Sequence, residues 1–317
     1  LLSEYEKNVF ILINHVTLSS LFCLFGIVGN CINICVFVKQ GLTKSMNASF
    51  FAVAISDVLK MFVQVWQNIC LNPYMLQADS VLDFNGTQFL TAGTPSVLFM
   101  RITGWITMYV TAERCLSIAV PMRIKHIVTP GRRAAILVFI YVINIASAIP
   151  LYLWAYISWN FYPAQNRSRL GISFRSNKQE VGLLSSYFHS SMSIIAFVLV
   201  IIFTAILVGA LVRTSKWRLK FTSKSNHKEM RERERKTVVM VSVVAAALIV
   251  CYTPAISCAI AASVSYDFSI SGRQTNVYQA VWSFAFLFHS VNSSITILLY
   301  YKTSTRYKRT LQEMFPR

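Results

Sequence analysis

Seven stretches of this chain stay apolar for about 20 residues or more, the length an α-helix needs to cross ~30 Å of hydrocarbon. They fall at 11–38, 47–71, 88–120, 133–156, 184–213, 236–265 and 276–301 of the 317 residues. Charged residues make up only 13% of the chain, where a soluble domain carries about 25%. That surplus of apolar surface needs lipid as its solvent. The expected fold class is all-α: a seven-transmembrane helix bundle, with a short amphipathic cytoplasmic helix over 303–315 and one domain spanning 1–317. The opening Leu1-Leu2, without an initiating Met, suggests a trimmed N-terminus.

A formal charge of +18 resembles a nucleic-acid signature until its distribution is read. Lys39, Lys44, Arg123, Lys125, Arg132, Arg133, the 213–236 stretch and the tail with Lys302, Arg306, Lys308 and Arg309 fall on one side of the spans. The charges of the other side, among them Glu4, Lys7, Asp83, Arg167, Arg169, Arg175 and Lys178, sum to zero. Short basic loops stay in the cytoplasm, so the N-terminus is expected outside and the tail inside, on a multi-pass protein of the plasma membrane. No nucleic-acid partner is expected. Sequons at Asn85-Gly86-Thr87 and Asn166-Arg167-Ser168 fall on outer loops, where glycosylation occurs. Those at Asn47 and Asn292 fall at a cytoplasmic boundary and within a span, and are expected to be silent. The seven cysteines lie mostly within spans and read as small packing residues, not as disulfides or a metal site.

Ionisable and strongly polar groups kept within hydrocarbon are functional candidates by default. The spans hold Asn30, Asp57, Lys60, Arg101, Glu113 with Arg114, Tyr252 with Pro254, and His289, Asn292, Ser293, Thr296 and Tyr300. At ~1.5 Å rise per residue, Asp57 lies ~15 Å into its span and Arg101 ~20 Å from the cytoplasmic end of its own. Lys60 comes out level with Arg101.

The order of these pieces resembles the rhodopsin-like (class A) G-protein-coupled receptors over essentially the whole length. The matching residues are Gly29-Asn30, Ala54-Ile55-Ser56-Asp57, Glu113-Arg114-Cys115, Pro121-Met122, Cys251-Tyr252-Thr253-Pro254, Asn292-Ser293, Tyr300 and Tyr307-Lys308. The departures are an absent cysteine pair at the outer end, no central Trp in the fourth span, no Pro in the fifth, and Thr296-Ile297 where that family has Asn-Pro. They place the chain on a divergent branch, and the run Glu113–Pro130 resembles molluscan receptors for neuropeptides or chemical cues.

That resemblance implies roles. Glu113, Arg114, Glu234, Tyr252, Pro254 and Tyr300 form the switch, with an Arg114–Glu234 pair closing the cytoplasmic ends of the third and sixth spans. An alternative keeps Glu234 as one member of the alternating charges on a solvated helix face. Pro254 removes a backbone hydrogen bond and serves as a hinge. Arg114 and Met122 would contact a heterotrimeric G protein. Asp57, Thr103, Asn292 and Ser293 match a sodium pocket, an oxygen set suited to a hard cation. Lys60, on nearly the same face as Asp57, offers an internal ion pair in place of the ion. No other cofactor or metal is expected.

The implied ligand pocket takes in Lys60, Ser96, Val97, Met100, Arg101, Tyr252, Trp282 and His289. Lys60 and Arg101, with the outer-loop cations, suggest an acidic group on the ligand. A short neuropeptide is the first reading and a chemosensory small molecule the alternative. Ser96 and Ser290 stand where amine receptors and opsins need Asp and Lys. A transporter or ligand-gated channel is the rival from another class, but inverted repeats and paired broken spans are absent from the sequence. No nucleophile, base and orienting acid gather in the pattern of an enzyme.

Overall fold

The computed structural model describes residues 2–43, 46–78, 80–120, 123–163, 166–175, 179–220, 228–269 and 272–315, without the side chains of 125, 179, 183, 186, 214–220 and 228–234. Seven long helices form one bundle: α1 (Glu4–Gln40), α2 (Asn47–Cys70), α3 (Thr94–Ala119), α4 (Pro130–Trp154), α5 (Gln179–Lys220), α6 (Lys228–Val264) and α7 (Thr275–Thr303). A shorter α8 (Thr305–Met314) follows. All but α3 are long and apolar enough to cross a membrane on their own composition. The exception is the central helix, packed against α2, α4, α5 and α6. It can carry Arg101, Thr103, Thr107 and Thr111 because all four are buried by protein. Leu21, Leu24, Val28, Phe139 and Val142 are exposed on the outside of the bundle, a surface that only lipid solvates well.

Local chemistry sets the ends. Ser3 and Glu6 form a reciprocal capping box that starts α1 seven residues before the expected position 11. Within α1, Leu12–Ser19 is wound as a π-helix and buries Asn14 and His15. Thr129 caps α4 ahead of Pro130 at the first helical position. The third span is likewise a π-wound Phe89–Gly93 leading into α3.

One element lies outside the helical expectation. β1 (Ala155–Tyr162) and β2 (Arg167–Phe174) form an antiparallel hairpin between α4 and α5. The hairpin is tied to the α2–α3 connection, with Leu170 N–H donating to the Val81 carbonyl at 2.8 Å and Asp83 N–H donating to that of Leu170 at 2.9 Å. It thereby lids one end of the bundle. At the opposite end α8 folds back on α1: Gln40 donates to Thr310 at 3.1 Å and Arg306 to the Gln40 carbonyl at 2.9 Å. Tyr307 is buried against Phe37 and Tyr300, which shows how α8 turns its apolar side inward.

Candidate functional site: a lidded cavity, a polar seam and an ionic cluster

Beneath the hairpin lies a cavity of ≈ 630 Å³, within the size range of small-molecule sites. Its wall takes Lys7 and His15 from α1, Gln67 from α2, Val97 from α3, His189 from α5, Trp282 and Phe286 from α7, and Asp83 and Arg169 from the lid. Side chains on a strand alternate, so Arg169 and Gly171 share the inward face of β2. A Cβ on Gly171 would sit 2.7 Å from the Tyr162 hydroxyl and 3.2 Å from the Asp83 carboxylate. Glycine there lets Tyr162 donate to Asp83 at 2.8 Å. Burial, and that bond to Asp83, push the Tyr162 phenol upward, so it keeps the proton it donates. Arg169 is only 8% exposed, its Nε has no hydrogen-bond partner, and it makes no ion pair among the described residues.

Of the eight residues expected to line the pocket, Val97 and Trp282 do so. The other six lie in the packed interior. Ser96 donates to Gln64 at 3.1 Å, and Tyr252 donates to the Met100 carbonyl at 3.1 Å, tying α6 to α3 just below Pro254. His289 meets Tyr252 edge-on, with ring centroids 4.4 Å apart.

Lys60 and Arg101, expected to face one anion together, point to different partners. The Lys60 ammonium donates to the His289 carbonyl at 2.6 Å and the Ser293 hydroxyl at 3.2 Å on α7. Arg101 instead donates through Nε to Asn144 Oδ1 at 2.6 Å and through Nη2 to Ser147 at 2.6 Å on α4, and its Nη1 meets His189 Nδ1 on α5. It reaches the cavity wall only through His189. The reason is rotational: Arg101 leaves α3 on the face turned to α4 and α5, away from α2 and α7.

A polar seam runs along α1, α2 and α7. Asn14 donates to Ser283 at 2.9 Å, and Asn68 holds His15, Ser19 and Ser20. Deeper, Asn30 donates to the Ser293 carbonyl at 2.8 Å, and Asn33 accepts the Tyr307 hydroxyl. Asp57 and Thr103 meet in this seam with Ser293, whereas Asn292, also buried, makes no hydrogen bond to the carboxylate among the described residues.

At the α8 end, Glu113 is the hub. It accepts from Arg133 Nη2 at 2.7 Å and Nε at 3.3 Å, and from Arg114 Nη2 at 3.2 Å. The expected partner on α6, Glu234, has its side chain outside the described residues, as does Met122 altogether. Tyr300 sits in the aromatic cluster with Phe37, Phe50 and Tyr307. Asn85 is exposed at the cavity rim, and Asn166 is exposed at the hairpin turn in the left-handed region, with φ 48°.

Sequence reasoning missed His15, Gln67, Asn144 and His189. Each is a polar residue in or beside an apolar run, the same signal that singled out Lys60 and Arg101. Arg133 reads in the sequence only as a basic residue of the cytoplasmic side, and Arg169 as one of the outer-loop cations that suggest an acidic ligand group.

A family model described as "Serpentine type 7TM GPCR chemoreceptor Srw" matches residues 17–317, nearly the whole chain. No curated protein matches it. The family match supports a G-protein-coupled receptor and reaches neither the rhodopsin-like class nor the molluscan branch.

Proposed function

The chain belongs to the Srw family of serpentine seven-helix G-protein-coupled chemoreceptors, and from that premise we propose that it detects an extracellular ligand bearing an acidic group and passes the signal to a heterotrimeric G protein. The family is a receptor class and not an enzyme class. The N-terminus and the hairpin lid face the outside of the plasma membrane in this reading, which the basic residues of the opposite side support. Asn85 and Asn166 then present accessible glycosylation sites.

Arg169 carries the ligand assignment. Its guanidinium stands on the cavity wall, 8% exposed, with no ion pair among the described residues and no partner for Nε, so its charge calls for an anion. A carboxylate or similar anion supplies the bidentate partner it lacks. A short peptide with an acidic terminus or side chain meets that need, and so does a small organic acid. On the inner face, Arg114 and the loop residue Met122 are the proposed G-protein contacts. Tyr252 and Pro254 are the proposed lever, since Tyr252 couples α6 to α3 at Met100, just under one turn below the cavity residue Val97.

The test is G-protein activation in cells expressing the chain, screened with short acidic peptides and small organic acids. Arg169→Gln is expected to cut potency ten-fold or more, about 1.4 kcal/mol, at unchanged surface level. Equal potency in Arg169→Gln would remove the acidic anchor. Ion flux through the purified chain in vesicles, without any G protein, would remove the receptor mechanism itself.

A further inference from the structure

A carboxyl group sealed inside a membrane bundle stays ionised only beside a counter-charge. Asp57 is 0% exposed. Its Oδ1 accepts from Ser293 at 2.9 Å and Thr103 at 3.2 Å, while Oδ2 has no partner. One carboxylate and two hydroxyls in a dry pocket suit a small hard cation, and the receptor resemblance implies sodium there. The donor set fits such an ion. The surrounding charge does not.

Lys60 stands one turn along α2 and is 1% exposed. Its ammonium donates to the Ser293 hydroxyl at 3.2 Å and the His289 carbonyl at 2.6 Å. Ser293 has a single proton and gives it to Asp57, so the lone pair it turns to Lys60 is one an arriving ion would need. The result is a relayed ion pair running from ammonium through hydroxyl to carboxylate. Asp57 and Lys60 together are neutral, and a sodium ion would leave the pocket with an excess positive charge. The other buried acid among the described residues, Glu113, is already shared by Arg133 and Arg114 at the α8 end.

We propose that Lys60 is the resident cation of Asp57, tethered to α2, and that this protein needs no sodium at that carboxylate. An ion can leave when a bundle rearranges. A tethered ammonium can only change partners, from the Ser293 and His289 oxygens on α7 to the open Oδ2 of Asp57. The equilibrium between bundle arrangements is then set from within the chain and not by external salt.

The test needs neither agonist nor G protein, so its outcome is separate from that of the ligand assignment. The melting temperature of the purified full chain is compared in sodium chloride and in choline chloride of equal ionic strength. Wild type is expected to melt at the same temperature in both. Lys60→Met is expected to melt lower in choline and to be raised by sodium, and the added change Asp57→Asn should abolish that rise. A sodium-specific rise in wild type that Asp57→Asn removes would overturn the proposal. So would a Lys60→Met protein as stable in choline as wild type. If Lys60→Met fails to fold, the comparison of wild type with Asp57→Asn decides alone.

Discussion

Replacing Arg133 with Met is expected to destabilise the bundle by about 3 kcal/mol, at the lower end of the cost of breaking a buried ion pair. The two side chains are sealed from water, Glu113 at 2% and Arg133 at 6% exposure, and Arg133 grips both carboxylate oxygens. A bidentate guanidinium of this kind is among the stronger polar contacts a protein makes. Without it Glu113 keeps only Arg114, at 3.2 Å on one oxygen, which is why the lower end of the range applies. The double change Arg133→Met with Glu113→Gln is expected to recover much of the loss, because no buried carboxylate is then left without its guanidinium partner. Chemical or thermal unfolding of the purified protein measures both. An Arg133→Met protein within about 0.5 kcal/mol of wild type, the scatter expected of surface changes, would show the cluster to be hydrated and weak. Glu113→Gln alone also takes the acid away from Arg114, and in the receptor reading basal signalling per surface receptor should rise.

The spans themselves were legible, because hydrocarbon thickness imposes one length on every crossing helix. The expected 47–71, 133–156 and 276–301 fall within three residues of Asn47–Cys70, Pro130–Trp154 and Thr275–Thr303. Larger errors have local causes that the residues did show. The Ser3–Glu6 capping box announces the early start of α1. The run Ala155–Tyr162, rich in Tyr, Ile, Trp and Phe, has strand composition, yet a search tuned to long apolar runs passes over it. What no pattern supplies is rotation about a helix axis within the bundle. That rotation sends Lys60 to α7, Arg101 to α4 and α5, and Arg133, the first residue of its expected span, inward to Glu113. Polar residues in the spans thus marked side chains that the bundle buries while leaving their partners open. The cavity depends on a lid whose existence was not foreseen, so only Val97 and Trp282 of its wall were found in advance.

Arg101→Met is the sharper test of that rotation, and is expected to cost about 2–4 kcal/mol of stability while leaving potency per surface receptor unchanged. Arg101 is 2% exposed and no carboxylate neutralises it among the described residues; its charge is held by Asn144, Ser147 and His189. Hydrogen bonds to a charged group contribute about 1.5–3 kcal/mol each, and each sealed acceptor left behind costs about 1–3 kcal/mol. Two acceptors are stranded by the change, Asn144 Oδ1 and His189 Nδ1. Relief of the buried charge offsets part of that penalty, which sets the range. Arg101→Lys should not rescue the fold, because a single ammonium cannot fork between α4 and α5 as the planar guanidinium does. Adding Asn144→Leu to Arg101→Met should recover part of the loss by removing one stranded acceptor. Potency toward acidic ligands distinguishes the two placements of this residue. If Arg101 were a ligand anchor, Arg101→Met would weaken signalling as much as Arg169→Gln; an inter-helix tie shows instead as a lower surface level with potency intact. An Arg101→Met protein that is as stable as wild type but loses potency would return the guanidinium to the cavity and displace Arg169 from its assigned role.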